Sequence, residues 1–330
     1  MKSTTEVLGL GVSDEQLQVR VAWLYHMEDL TQAEIAARLG LTRLRVNRIL
    51  GDCRASGLVR VSLASRLESC VALERQLVRE GGLAEAVIIP TPEDPEKLPS
   101  LLGMAAGDYL SQYLARTEVS VFGVGWGATL REAIRHISPA DRPGLWVTSM
   151  MGGLTQGSEL NSFETAGELA RRLNAQCAYL AAPIYAGSAA SRDTIVAQDV
   201  FAEALARIEA VDLALLSLGD LSPRSLLIRH GLPRDVTAKE LRAAGAVGDV
   251  LGQFLDAAGQ PIAHPINDRV IGLPSARLAA VRTVVLAAGG ANKRAVIAAA
   301  LRGGIPKVLI SDEDTARAAL KLARSGADMP

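Results

Sequence analysis

Arg43, Arg45, Asn47 and Arg48 fall within six consecutive positions, a combination suited to double-stranded DNA. Arginine can bond both major-groove acceptors of guanine, asparagine can read adenine, and further cations fix the register on phosphates. A second set lies further along. Val119-Ser120-Val121-Phe122-Gly123-Val124-Gly125-Trp126-Gly127-Ala128-Thr129-Leu130 reads as a strand, a glycine-rich turn and a helix start, where backbone N–H groups and the helix dipole can hold an anion or a hydroxyl-rich ligand. The run Thr283-Val284-Val285-Leu286-Ala287-Ala288, leading into Gly289-Gly290-Ala291-Asn292-Lys293, repeats that layout and adds a cation. Helix polarity slightly disfavours lysine in a first turn, which adds weight to a ligand-binding role for Lys293.

The elements that must position the basic cluster are legible around it. Ser13 or Asp14 can cap a first helix with apolar Leu17, Val21, Leu24 and Tyr25 at helical spacing. Thr31-Gln32-Ala33-Glu34 is a capping box opening a second helix, whose buried face is Ile35, Ala36 and Leu39. Gly40 supplies the left-handed residue that ends it, and Thr42 can cap the next helix. In that third helix Val46, Ile49, Leu50 and Cys53 follow i, i+3, i+4, i+7. At about 100° per residue the opposite face carries Leu44, Arg48 and Gly51, flanked by Arg45, Asn47 and Asp52. This is a helix-turn-helix with a recognition helix. The expected DNA-contacting set is Thr31, Gln32, Thr42, Arg43, Leu44, Arg45, Asn47 and Arg48; the bland alternative is a solvated basic face.

Total charge hides this module. The 330 residues carry 35 Lys+Arg against 36 Asp+Glu, a net charge of −1. Yet residues 31–66 hold seven arginines and two acids, so that segment is +5 and the rest of the chain −6. A small basic module joined to a larger acidic one is expected when only one of them meets an anionic polymer. With 49% hydrophobic residues the chain is neither disordered nor collagenous. Its longest apolar runs fall short of the ~20 residues a membrane helix needs, and no secretory pattern opens it; a cytoplasmic protein with no membrane partner is expected. Cys53, Cys70 and Cys177 show no metal or disulfide spacing.

The organisation expected is a DNA-binding domain over 1–62, a helical connector over 63–85 and an α/β domain over 86–330. Leu58-Val59-Arg60-Val61-Ser62-Leu63 reads as an extended exit. The stretch with Leu67, Val71, Leu73 and Leu77 either pairs subunits, setting two recognition helices one DNA turn apart, or packs on the second domain. From Ala86 onward, β-rich runs alternate with helical windows, the mark of a mostly parallel sheet. Pro90-Thr91-Pro92-Glu93-Asp94-Pro95 reads as a surface loop. Ligands of open α/β sheets bind at strand carboxyl ends, where Met150-Met151-Gly152-Gly153-Leu154, Asn161, Ala182-Pro183-Ile184-Tyr185, Gly219-Asp220 and Gly248-Asp249 offer small or polar groups.

Catalytic signals are thin. His26, His136, His230 and His264 are scattered, and neither a G-x-S-x-G elbow nor a phosphate-binding G-x-x-x-x-G-K-[ST] loop is present. The glycine turn at 123–128 loosely fits a dinucleotide fingerprint, but no ribose-binding acid follows the next apolar run, Leu145-Trp146-Val147. Asp312-Glu313-Asp314 is explained by dipole compensation at a helix start. No catalytic residue, metal or cofactor is expected. A sugar-phosphate isomerase-like enzyme with an N-terminal interaction domain is the competing reading; a nucleotide-dependent oxidoreductase is disfavoured.

Taken in order, several runs resemble the SorC/DeoR-like family of bacterial sugar-binding transcriptional regulators, over nearly the whole chain. They are Leu30-Thr31-Gln32-Ala33-Glu34-Ile35-Ala36 with Leu39-Gly40-Leu41-Thr42-Arg43, Gly123 to Thr129, Gly248-Asp249-Val250, Ala288 to Lys293 with Ala295-Val296-Ile297, and Val308 to Ala316. The resemblance implies a Rossmann-like α/β effector domain, with the fold of sugar-phosphate isomerases and CoA transferases but without catalysis. It also implies a homo-tetramer, a dimer of dimers, on operator DNA. Effector-binding positions implied by it or by the strand ends are Gly123, Gly125, Trp126, Gly127, Thr129, Gly152, Gly153, Asn161, Asp249, Gly289 and Lys293. Among them Gly125, Gly127 and Thr129 would hold a phosphate or terminal hydroxyls. One departure stands out: several phosphosugar-sensing members carry a basic residue just before the double glycine, whereas this chain has Met151, which leaves a free sugar or polyol beside a sugar phosphate as the effector.

Overall fold

The computed structural model describes residues 14–59, 68–154 and 161–325. Ser13, Arg60–Leu63, Arg66 and Leu67, to which the sequence reading gave roles, lie outside them. The chain divides into two compact units, Met1–Ala64 and Ser65–Pro330.

The first unit contains α1 (Asp14–His26), α2 (Gln32–Leu39) and α3 (Arg43–Ala55). Its small core joins Val21, Ala22 and Leu24 of α1, Ile35 and Ala36 of α2, and Val46, Ile49, Leu50 and Cys53 of α3. The capping box forms as the sequence predicts: Glu34 N–H donates to Thr31 Oγ1 and Thr31 N–H to Glu34 Oε2 at 2.8 Å. The Thr31 hydroxyl also donates to Glu34 Oε2 at 2.6 Å, and this bond, with the one from Thr31 N–H, holds the Glu34 carboxyl below its ordinary pKa. Gly40 ends α2 in the left-handed region at φ 65°. Thr42 Oγ1 then caps α3 by accepting from Arg45 N–H at 3.2 Å. Three expectations are corrected. Tyr25 is exposed, edge-on to the His26 ring, because it lies on the margin of the stripe that Ala22 completes. Leu39, expected on the buried face of α2, is half-buried and, like Leu17, packs against the edge of this core. Leu58 and Val59 form a bend in place of a strand, with Val59 N–H bonded to Cys53 O.

The second unit opens with α4 (Glu68–Glu80), β1 (Glu85–Ile89), α5 (Leu98–Arg116), β2 (Val121–Val124), α6 (Ala128–His136) and β3 (Trp146–Ser149). Then come α7 (Ser162–Arg172), β4 (Gln176–Ala178), α8 (Ala189–Val196), α9 (Asp199–Glu209), β5 (Leu213–Leu216), α10 (Leu226–His230) and α11 (Ala238–Ala243). The hairpin β6 (Gly248–Val250) and β7 (Gln253–Leu255) follows, then β8 (Thr283–Ala287), α12 (Arg294–Arg302), β9 (Val308–Asp312) and α13 (Glu313–Ser325). Seven strands make one parallel sheet in the order β1-β9-β8-β5-β2-β3-β4. Alternate residues of each strand enter two cores. Leu213 and Leu215 of β5 lie in one, Ala214 and Leu216 in the other, so the strands read as continuous apolar runs, as expected when helices cover both faces.

Helix α4 packs on β1 and α13 of its own chain through buried Cys70, Leu73 and Leu77, and Glu74 Oε1 accepts from Ile88 N–H at 2.9 Å. Of the connector's expected apolar stripe, Leu73 and Leu77 are thereby covered intramolecularly, and Val71 is half-buried.

Strand order fixes where a ligand can enter. From β2 the chain winds outward through β3 and β4, then returns to β5 on the other side of β2 and continues to β8 and β9. The loops that leave the carboxyl ends of β2 and β5 therefore diverge, opening a crevice at this switch point.

Candidate functional site

On the first unit, Arg43, Leu44, Arg45, Asn47 and Arg48 all lie on exposed positions of α3, and Leu44 is 73% exposed. Thr31 and Thr42 cap their helices, and Gln32 Nε2 donates to Asn47 Oδ1 at 3.4 Å, linking the start of α2 to α3. All eight predicted DNA-contacting residues thus belong to α2, α3 and their caps. The face keeps its cations because burying Val46, Ile49, Leu50 and Cys53 turns the arginines to water.

On the second unit, a cavity of about 320 Å³ occupies the switch-point crevice. Gly125, Trp126, Gly127 and Thr129 reach it from the β2–α6 turn, Ser217 to Asp220 from the end of β5, Asp249 and Leu251 from the hairpin, and Asn292 and Lys293 from the loop after β8. Arg224, Ser225 and Arg229 close it from the segment leading into and along α10. Gly127 has φ 119° and no side chain caps α6, so its first-turn amides are left for a ligand or water.

The polar floor is highly charged. Asp220 and Asp249 are buried. Asp220 accepts from Asn292 Nδ2 and from Ser222 N–H, both at 2.6 Å. Asp249 Oδ2 accepts from Gly252 N–H at 3.2 Å, whereas its Oδ1 is buried without a partner. Burial pushes the Asp249 carboxyl up to about 7 despite Lys293 nearby. Burial also lowers the Lys293 ammonium, with Asp220 and Asp249 opposing that shift. Lys293 Nζ is 3.5 Å from Ser217 Oγ. A buried acceptor without a donor is costly, and a ligand hydroxyl is a suitable donor. The hairpin aims this carboxylate through a two-residue turn in which Leu251 and Gly252 both have positive φ, 51° and 79°.

Of the expected effector positions, Gly125, Trp126, Gly127, Thr129, Asp249 and Lys293 come together in this cavity. Gly123, Gly152, Gly153, Asn161 and Gly289 are not among its lining residues, and each has a packing reason. A Cβ at Gly123 would lie 2.6 Å from Met150 Sδ, at Gly152 2.3 Å from Pro183 O, at Gly153 2.4 Å from Asn161 Oδ1, and at Gly289 2.4 Å from Asp312 Oδ1. Asn161 spends its amide on Leu154 N–H and O. Ser217, Arg224, Ser225 and Arg229 escaped the sequence reading. Ser217 follows the apolar run of β5, beside the Gly219-Asp220 pair that reading flagged; the α10 residues carry no sequence signal.

Comparison with known proteins agrees with this division. Residues 65–321 match the Sugar-bind family model of a sugar-binding domain, and residues 10–66 match the MarR family. The transcriptional regulator LsrR of Escherichia coli (strain K12) is 33% identical over 316 residues, 94% of this chain and 96% of LsrR. The full-length sorbitol operon regulator SorC from Klebsiella pneumoniae has the same fold, with a TM-score of 0.72 at 24% identity over 94% of this chain and 100% of that chain. A DeoR family transcriptional regulator from Listeria monocytogenes gives a TM-score of 0.69 at 25% identity over 76% of this chain and 100% of that chain. These relatives are regulators, and the enzyme reading is not favoured. A DNA-binding helix-turn-helix joined to a sugar-binding α/β domain is shared by sequence, fold and relatives: the chain belongs to the SorC-like family of sugar-binding transcriptional regulators.

Proposed function

We propose that the protein controls a carbohydrate or polyol catabolic operon by binding operator DNA through α3, with Arg43, Arg45, Asn47 and Arg48 as its readers and anchors, and that a small effector in the switch-point cavity sets its affinity. The observation that carries this reading is the unpartnered Oδ1 of Asp249 in a cavity that also holds Lys293 and Asn292: hydroxyl donors fit the carboxylate. Arg224 and Arg229, with the uncapped start of α6, favour an effector that adds an anionic group, such as a sugar phosphate. Met151 is fully buried and does not line the cavity, so its lack of charge does not count against an anion. The effector must bind one protein arrangement more tightly than the other to move the DNA equilibrium. Two half-site readers require at least a dimer, and a tetramer built as a dimer of dimers, acting in the cytoplasm, is the assembly proposed.

A thermal-shift screen of sugars, polyols and sugar phosphates, each hit retested for operator binding, tests the reading. Compounds that raise the Tm and change DNA affinity support it. Hits that leave DNA affinity untouched, or turnover of a hit, overturn it. Sedimentation of the DNA complex tests the tetramer.

A further inference from the structure

At the carboxyl end of β9, Asp312 is 1% exposed and joins three chain segments. Its Oδ1 accepts from Gly290 N–H at 3.0 Å. Its Oδ2 accepts from Thr91 Oγ1 at 3.0 Å and from Thr315 N–H at 3.1 Å, the latter capping α13. The Gly290 N–H is shared with Thr315 Oγ1 at 2.9 Å, so the loop after β8 is bonded both to the end of β9 and to α13. Thr91, from the proline-rich loop, also accepts from Asp314 N–H at 2.9 Å. No dipole argument at a helix start requires this set of partners.

The loop so held is the one that carries Lys293, one of the cavity's cations. Gly290 has φ 99°, a conformation other residues rarely adopt, and Lys293 N–H donates back to Gly290 O at 2.9 Å. Moving Gly290 therefore moves Asn292 and Lys293. On its other side, α13 meets α4: Cys70 Sγ donates to Glu313 Oε2 at 3.6 Å, and Arg324 pairs with Glu80 at 2.7 Å. Helix α4 is the first described element of the second unit, the end at which the chain arrives from the first.

We propose that Asp312 is a positioning residue that sets the Gly290–Lys293 loop against the cavity and locks its position to α13 and, through α13, to α4. Charge-assisted bonds to a buried carboxylate are the strong ones, so the loop and α13 shift together or the carboxylate loses one of its donors. An effector that draws Lys293 and Asn292 inward then pulls on α4, the first described helix of the second unit. That last step rests on the cavity being the effector site; the link between loop and helices does not.

Amide hydrogen exchange of the full chain, without added ligand, tests the link. Asp312→Asn keeps the size and removes one acceptor oxygen. Thr315→Val keeps the carboxylate and removes the second acceptor of Gly290. Ser275→Ala, which breaks the buried Ser275–Gln253 bond of 2.8 Å, is a destabilising control away from the loop. For Asp312→Asn, exchange at Gly290–Lys293 and in α4 is expected to rise roughly 10- to 100-fold above the control, with a smaller rise in the same segments for Thr315→Val. Unchanged loop exchange in Thr315→Val overturns the proposal even if Asp312→Asn fails to fold. So does a uniform rise across the unit, or a loop that loosens while α4 stays as in wild type. Because no effector enters the measurement, its failure is separate from failure of the cavity reading.

Discussion

A Cβ placed on Gly219 would lie 1.9 Å from Oδ1 of Asp249, the oxygen that has no partner. The two residues are also bridged through their backbones, with N–H to O distances of 3.0 and 2.9 Å. The glycine is thus the space into which the carboxylate fits. Gly219→Ala should displace Asp249 and weaken effector binding by about tenfold or more, a change of roughly 1.4 kcal/mol, while DNA affinity without effector stays as in wild type. Titration calorimetry with a screened effector checks the first part and operator titration the second; unaltered effector affinity would sink the role given to Asp249.

If Asp249 holds the effector as proposed, the same carboxyl should make effector binding pH-dependent. Its pKa is pushed up to about 7 by burial, so its charged, acceptor-only form dominates above that pH and is lost below it. Affinity for a hydroxylated effector should fall as pH drops from 8 to 6, and Asp249→Asn should flatten that profile. Stability follows the opposite sign. A carboxyl whose folded pKa lies above its unfolded value near 3.8 binds more protons when folded, so stability declines between about pH 4 and 7. Asp249→Asn should therefore raise the Tm at pH 8, by on the order of 5 °C; a lowered Tm would contradict the burial argument.

Lys293→Ala should leave operator affinity without effector intact and remove the effector's influence on it. Its ammonium faces Asp220 and Asp249, so the variant also leaves the Asp249 carboxyl without the cation that opposes its upward shift. Binding assays at matched pH, with and without effector, read both effects. A retained response would take Lys293 out of the site.

Replacing Arg48 or Arg43 by Ala should cost about 1–3 kcal/mol on operator DNA and relax the preference at one base pair, if that arginine reads a base. Equal losses on operator and random duplex would make it a phosphate contact. Competition assays at fixed salt separate the two.

Thr31→Ala removes one arm of the capping box at the start of α2. The first unit should lose about 1 kcal/mol of stability, seen as an earlier melting transition with the second unit's transition unmoved. No change would mean that water caps α2 as well as the threonine does.

The first unit was legible because its signals are local. The capping box at Thr31, the left-handed Gly40 and the apolar spacing from Val46 to Cys53 each concern residues within a turn or two of one another, and the core buries what they indicate. The cavity was legible only in part. Gly125, Gly127 and Lys293 stand where strand ends predict ligand contacts. A glycine after a strand, however, serves close packing equally well, and Gly152 and Gly153 are taken up by Pro183 and Asn161. Arg224 and Arg229 reach the rim through the path of the chain after β5, which no short-range spacing encodes. Asp312 was visible as part of an acidic run, but its grip on Gly290, 22 residues upstream, is a matter of β8 lying beside β9.

The cavity draws its walls from the turns after β2, β5 and β8 and from the β6–β7 hairpin. No short fragment of the chain contains it, and a nascent polypeptide cannot form it until residue 293 has been synthesised and β8 has joined the sheet. An effector bound there would consequently act as a staple across segments far apart in sequence. It would add RT ln(1 + [L]/Kd) to the whole unit's resistance to unfolding, so the signal proposed to tune gene expression would also protect the protein that senses it from unfolding.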